Sequence, residues 1–334
     1  MLAAELKLKC SVILPVYTRN EFVNQALSSL ENQDIGKNFF EVLIISNIEI
    51  KLERSYNLNM QIVKSEQKPL AGKLAQGILM AKNEVITFLE DDDLYCKERI
   101  STILRFFSSN NDLTYFHNGF IQFRHSKILI NKHKSFSQPS KHKIITTKES
   151  KFSDINNADE IYLYKKHADY NLSSIALRRN FIVDYVEILS HLRSRYLDTF
   201  VFSIALYKGN LLMIYSKVLS LIRIHAANAS QSVEASRKSP SNLGYSEDLE
   251  RLIRVFNALK ITAKSYVRNW ITIRGFDDLM KSHNVSRHEA LLSIIKLVKI
   301  YGVHFLSSDV AKKGVVYLIS PKLMHKILTE FHIT

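Results

Sequence analysis

The sequence predicts an α/β fold: a mostly parallel sheet flanked by helices, followed by a helical C-terminal region. Three observations carry this reading. Short buried apolar runs alternate with segments of helical periodicity through the first hundred residues. One of those runs leads straight into four consecutive acids, Glu90, Asp91, Asp92 and Asp93. Beyond about residue 240 the composition turns helical. A β-α-β-α order finds its stable packing as parallel strands joined by right-handed crossovers, with helices on the faces.

The elements follow in order. Residues 10–16 (C-S-V-I-L-P-V) read as a buried strand. Residues 21–30 place Phe22, Val23, Ala26, Leu27 and Leu30 at helical spacing. Residues 41–45 (E-V-L-I-I) and 60–63 are the second and third strands. Residues 69–81 are helical, with Pro69 tolerated in the first turn. Residues 84–89 (E-V-I-T-F-L) are a fourth strand, and 97–107 a third helix. Residues 113–123, 127–130 and 172–177 read as further strands. The basic stretch 124–151 reads as an exposed loop or loose hairpin. Residues 196–207 form a helix ended by Gly209, and 211–224 one bent strand or a pair. The Ser-, Ala- and Asn-rich stretch 226–242, with Pro240, reads as a linker. Residues 247–273 are helical. Ser286 to Glu289 form a capping box for a helix reaching Ile300, closed by Gly302. The division predicted is a domain over 1–240 and a helical accessory region over 241–334.

Bulk properties narrow the function. The 334 residues are 46% hydrophobic, enough for a sizeable core. Two cysteines, Cys10 and Cys96, exclude a disulfide framework and a cysteine-based zinc site, and fit a cytoplasmic compartment. The N-terminus lacks a signal-peptide core, and no apolar run reaches the ~18 residues of a membrane span. The formal charge of +14 calls for an anionic partner or surface.

On residues alone, the four acids read equally as a metal site or as a solvated turn in which an Asp caps the next helix. Sheets of this kind bind ligands beyond the carboxyl ends of their strands, and a hard divalent cation would relieve the mutual repulsion of carboxylates. The wider pattern decides between the two. S-V-I-L-P-V-Y-T-R-N at 11–20, E-V-L-I-I-S at 41–46 and V-I-T-F-L-E-D-D-D-L at 85–94 occur in order, each on its own strand. This set resembles family 2 glycosyltransferases, which have the Rossmann-like GT-A fold, and the resemblance spans roughly residues 10–230.

The resemblance implies a nucleotide-sugar donor, UDP- or GDP-linked, and a divalent cation, Mn2+ or Mg2+, on its diphosphate. The family's Asp-x-Asp falls on Glu90, Asp91 and Asp92, with Glu replacing the first Asp. Asp92 is then the metal ligand, Glu90 and Asp91 face the nucleotide, and Asp93 caps the helix near Lys97. Pro15 would stop the strand ladder, Tyr17 would reach the base and Arg19 a phosphate. Ser46 stands where the family often has a base-reading acid. Gly72 would permit close approach to the nucleotide. Lys73 is either a phosphate or base contact or a solvated helix residue.

Inversion by direct displacement needs one general base. Asp198, one residue into an apolar helix, is either a residue favoured by the helix dipole or that base. The resemblance places the family's base at the start of such a helix. Asp169, Asp184 and Glu187 have weaker contexts. Arg223 and His225, two apart on a strand, match the family's Arg-x-His, which suits a diphosphate and its metal. Residues 171–174 (N-L-S-S) fall where the acceptor-side wall is expected.

A dehydrogenase is excluded because the first turn has no glycine, and a Walker-type nucleotidase because its motif is absent. No nucleic-acid partner is expected, since acids repel phosphates unless a metal intervenes. The alternative is a basic nucleotide- or nucleic-acid-binding protein on the same fold without transferase activity. Arg124, Lys127, Lys132, Lys134, Lys141 and Lys143, with Arg251, Arg254, Lys296 and Lys299, predict peripheral attachment to an anionic cytoplasmic membrane face. The acceptor expected there is a glycan or lipid-linked sugar.

Overall fold

The computed structural model describes residues 7–16, 22–67, 69–123, 141–146, 166–192, 197–208 and 210–225, with 286–288, 291–292, 294–295 and 318. The chain divides into two compact units, Met1–His225 and Ala226–Thr334. In the second unit Arg287, His288, Leu291, Leu292, Ile294 and Ile295 are helical, with Ser286 just before them. The helix expected over 247–273 lies outside the described residues.

The first unit holds strands β1 (Cys10–Val16), β2 (Phe40–Ser46), β3 (Met60–Lys64), β4 (Val85–Phe88), β5 (Leu94–Tyr95), β6 (Leu113–Phe123), β7 (His142–Thr146), β8 (Ile175–Arg178) and β9 (Leu211–Arg223). They form one sheet in the order β3-β2-β1-β4-β8-β6-β9-β5, with β7 also on β9. Strands β1–β4, β6 and β9 run one way, and β5, β7 and β8 run against them. The helices are α1 (Val23–Glu31), α2 (Leu70–Met80), α3 (Arg99–Ser109), α4 (Arg179–Ile182), α5 (Val186–His191) and α6 (Leu197–Lys208).

The core explains the order. β1 and β2 are buried along their whole length, as continuous apolar runs are in parallel strands covered on both faces. α1 covers the sheet with Val23, Ala26, Leu27 and Leu30. α2 lies so close to β1 that a Cβ on Gly77 would come within 2.5 Å of the Ile13 Cγ2, so the helix needs glycine there. At Gly119 a Cβ would sit 2.6 Å from the Ser216 carbonyl, where the β6–β9 register shifts.

The structure corrects several expectations. Pro15 does not stop β1, which stays in register with β2 through Val16 and Ser46. The Ile13 carbonyl faces β4 and accepts the Leu89 N–H. The two-residue period turns Pro15 to the same side, beyond the last β4 pair, so its missing donor breaks nothing. Within the stretch read as a loop, His142–Thr146 forms β7, and Ile145 is buried against β9. The expected strand at 127–130 lies outside the described residues. Residues Leu172–Ser174 form a 3-10 turn ahead of β8 instead of opening the strand. Helix α3 starts at Arg99, because β5 intervenes after the acids.

Direction fixes where chemistry can gather. The carboxyl ends of β1, β2, β4 and β9 share one edge, and the turn preceding antiparallel β8 reaches the same edge. Residues 16, 46, 90–93, 171–174 and 223–225 are therefore brought together by topology alone.

Two ionisable side chains, Arg99 and His117, are sunk in this core. The fully buried Arg99 donates to the Asn118 Oδ1, the Thr87 Oγ1 and the Ile175 carbonyl at 3.0, 2.8 and 3.2 Å, and its guanidinium lies 3.9 Å from the Tyr95 ring centre. It ties β4, β6 and β8 together. The buried His117 has its Nε2 2.9 Å from the Tyr170 carbonyl. Burial pushes its pKa down to about 4, against a smaller opposing pull from that carbonyl. A depressed imidazole contributes stability that is present above about pH 6.5 and lost as pH falls toward 4. We expect wild type to lose up to ~3 kcal/mol of stability over that window relative to His117→Gln, from denaturant titrations at several pH values. Comparing two otherwise identical proteins cancels the contribution of other acids. Identical slopes would show that His117 is not held neutral.

Candidate active site

The acidic turn begins where β4 ends. The Asp93 N–H bonds the Glu90 carbonyl at 3.0 Å, closing the turn. Asp93 is buried; its Oδ1 accepts the Arg223 N–H at 2.9 Å, and its Oδ2 accepts the Asn171 Nδ2 at 3.3 Å. Lost hydration, then repulsion from Asp92, pushes its pKa up to about 8. Asp93 therefore clasps the turn to β9 instead of capping α3, whose cap position is Glu98 without a side-chain bond. Glu90 gives its N–H to the Ser173 Oγ and accepts the Asn171 Nδ2 on Oε2, both at 3.0 Å. Burial, then the nearby Asp93, Asp92, Asp198 and Asp91, holds its carboxyl well above the usual range.

Asp92 carries the most accessible carboxylate of the three aspartates, and its Oδ2 lies 2.8 Å from the His225 Nε2. The Phe22 ring packs 5.1 Å from the His225 ring. Arg223 reaches the same residue from β9 by another route. Its Nε donates to the Asp92 carbonyl at 2.9 Å and its NH2 to the Gln25 Oε1 at 2.6 Å. Its guanidinium lies between the rings of Phe22 and Phe123, 4.4 and 4.5 Å from their centres. The expected Arg-x-His thus converges on Asp92, with His225 at the carboxylate and the buried Arg223 holding the backbone.

These residues suit a divalent cation. A carboxylate oxygen and an imidazole nitrogen are both ligands of divalent cations, and in Asp92 and His225 they stand 2.8 Å apart. Among the described residues no group of three or more His, Cys, Asp or Glu is arranged to hold a metal. The protein would supply two ligands and leave the rest to phosphate oxygens and water, the usual arrangement for Mg2+ with a nucleotide.

The other expected residues are spread along the same edge. Lys73 is fully buried and donates to the Val16 carbonyl at 2.6 Å. Burial brings its pKa down to about 8, partly offset by the charge of buried Asp91. It is not a solvated helix residue; it props the end of β1. The Ser46 hydroxyl is taken up in a tight turn with the backbone of Ile48. A Cβ on Gly72 would lie 2.8–2.9 Å from the Gln67 side chain, so the close approach it permits is to Gln67. Tyr17 and Arg19 lie outside the described residues.

Asp198 stands in the first turn of α6. Its Oδ2 accepts the Asn171 N–H and its Oδ1 the Thr199 N–H, both at 2.8 Å. Asp169 is buried beneath it and accepts the Thr199 hydroxyl at 3.2 Å. Asp184 belongs to a 3-10 turn, Val183–Tyr185. Asn171, expected only on the acceptor-side wall, joins Asp198 to the acidic turn. Its signal was the polar run D-Y-N-L-S-S ahead of a buried strand. The Phe22–Phe123 clamp left no signal, because isolated aromatics read as core.

A mostly parallel sheet with an acidic turn on its carboxyl edge has the GT-A-type fold. Residues 11–162 match the model of glycosyl transferase family 2. An uncharacterized glycosyltransferase of Haemophilus influenzae is 28% identical over 109 residues, 31% of this chain and 36% of its own length. The poly(ribitol-phosphate) β-N-acetylglucosaminyltransferase TarS of Staphylococcus aureus is 25% identical over 118 residues, 31% of this chain and 20% of its own. The chain thus matches only about a third or less of either relative. Among solved structures, TarS residues 1–349 with UDP-GlcNAc align with 96% of this chain and 92% of that one, at 16% identity and TM-score 0.49. The mannosyltransferase PcManGT of Pyrobaculum calidifontis with GDP-Man and Mn2+ aligns with 96% and 87%, at 12% identity and TM-score 0.46.

Proposed function

We propose that this chain is an inverting, metal-dependent glycosyltransferase that moves a sugar from a UDP- or GDP-linked donor to an acceptor hydroxyl. The observation that carries the reading is the meeting of Asp198 with the acidic turn through one shared residue, Asn171, beside the Asp92–His225 pair. Asp92 and His225 would hold Mn2+ or Mg2+ on the donor's diphosphate side. When bound, that cation neutralises charge developing on the leaving diphosphate. Asp198 takes the proton from the acceptor hydroxyl as its oxygen attacks the anomeric carbon. Attack from the side opposite the leaving group inverts the configuration. One carboxylate then does the work for which inverting hydrolases use two.

The nucleotide lies along Pro15, Tyr17, Arg19, Ser46, Gly72, Lys73, Glu90, Asp91 and Arg223. Lys73, Gly72, Ser46 and Arg223 shape this wall from behind, each being engaged with its own chain. The catalytic domain covers 1–240 and the helical accessory region 241–334.

The acceptor is a glycan or lipid-linked sugar, met at an anionic membrane surface. No described helix is long and apolar enough to cross a membrane. Of the basic residues invoked for attachment, only Lys141 and Lys143 are described, flanking the start of β7. Each cation near an anionic leaflet adds ~1 kcal/mol. Salt-sensitive sedimentation with anionic but not neutral vesicles is expected; equal binding to both, or to neither at low salt, rejects the membrane part.

The donor assignment is tested by melting the protein with UDP, GDP and their sugars, with and without Mn2+ or Mg2+. At a hundredfold excess over Kd, a bound nucleotide adds ~2.7 kcal/mol. A rise that needs both nucleotide and metal is expected. Metal-independent binding, or none, favours a basic binding protein without transferase activity.

A further inference from the structure

Asn171 has a backbone that L-residues rarely adopt, with φ of 69° and ψ of 115°. Such a conformation persists only where surrounding contacts over-determine it. Here the contacts point two ways. The backbone N–H is spent on the Asp198 Oδ2 at 2.8 Å, and the side-chain amide on the Glu90 Oε2 at 3.0 Å and the Asp93 Oδ2 at 3.3 Å. An ordinary φ would swing the N–H or the amide away from one of these groups.

The residue is anchored from behind by a continuous polar chain. Arg99 bonds Asn118, Asn118 bonds the Ser220 hydroxyl at 3.0 Å, and that hydroxyl bonds the Ser173 carbonyl at 2.7 Å. The Ser173 hydroxyl in turn takes the Glu90 N–H. The turn bearing Asn171 is thus fixed to β6, β9 and the acids, while Asp198 arrives from α6, a separate element.

We propose that Asn171 is a positioning residue that sets the spacing between Asp198 and the acidic turn, and so between acceptor hydroxyl and donor. This rests on the function proposed above. The base would otherwise ride on its helix independently of the donor. A 1 Å error in such a spacing can lower a rate about 10²-fold without removing any reacting group. Asn171 touches neither Asp92 nor His225 through any of these bonds, and Glu90, which it does touch, keeps its N–H bond to the Ser173 hydroxyl, so donor capture should change much less than turnover on its loss.

The test uses two substitutions in the full chain, with transfer or donor hydrolysis and donor affinity measured in parallel. Asn171→Gly accepts the unusual φ and keeps the N–H to Asp198 but removes the amide. Asn171→Asp keeps the shape but cannot donate to Glu90 or Asp93, and it covers the case in which the glycine variant folds poorly. Each should lower kcat by ~10–10²-fold while donor affinity by calorimetry changes less than about threefold. In the Asp198→Asn background the further loss should nearly vanish, because spacing a base matters only when the base is present. Unchanged kcat in either variant, or a loss that multiplies fully with that of Asp198→Asn, overturns the inference. A wild-type chain that turns over no nucleotide sugar overturns the function proposed above, and this inference with it.

Discussion

Asp198→Asn is expected to cut turnover by ~10²–10⁴-fold while leaving donor affinity within about threefold, because it removes the proposed base and no proposed donor ligand. The substitution is nearly isosteric. Its new amide group would meet the Asn171 or the Thr199 N–H, both of which now donate to the carboxylate, so a small local rotation should follow. Melting temperature reads that adjustment, and rapid-quench or steady-state assays read turnover. Full turnover in a folded variant would move the base elsewhere. Asp169 is the next acid along this wall, but it is buried and already accepts the Thr199 hydroxyl. An acceptor hydroxyl could reach it only if the wall opened.

Asp92→Ala is expected to abolish the metal-dependent part of donor binding and to leave the fold intact. The reason is the division of labour within this residue. Its carboxylate pairs with His225, whereas its carbonyl holds Arg223, and alanine keeps the carbonyl. Calorimetry with UDP or GDP, at saturating and zero Mn2+, should give one curve in the variant and two in wild type. Retained metal dependence would show that Asp92 is not a ligand. Asp93→Ala should behave oppositely: it strips partners from Arg223 and Asn171, leaving a buried amide unsatisfied. A loss of stability of about 1–3 kcal/mol is expected there.

The elements nearest the acidic turn were legible because each has a strong local pattern. β1, β2 and β4 are mostly apolar and buried throughout, and α1 and α2 repeat apolar residues every three or four positions. What escaped was set by pairing. β5 is only Leu94–Tyr95, too short to show any alternation, and it exists because Leu221 and Ser220 lie beside it. β7 was masked by its basic neighbours, although Ile144, Ile145 and Thr146 were a strand-like signal. Pro15 looked like a stop, and only sheet order shows that its missing N–H falls past the end of β4.

The site was legible as residue types and much less as contacts. Asp92, Asp198, Arg223 and His225 were all singled out. That Arg223 grips a carbonyl between two phenylalanines depends on β9 running the same way as β4, which no local pattern encodes. Lys73 shows the same limit. Its place on α2 was readable, but its burial beneath Val16 was not. Asn171 had no periodic signal at all, because its role comes from an unusual φ and from partners some 27 and 80 residues away.

The central claim is direct displacement at the anomeric carbon by an acceptor activated at Asp198. Proton NMR of the sugar first released from an α-linked nucleotide sugar tests it most directly, with water standing in when no acceptor is known. The account predicts that the β-anomer appears first, only with Mn2+ or Mg2+ present, and that its rate collapses in Asp198→Asn. Initial release of the α-anomer would mean retention and would contradict the mechanism.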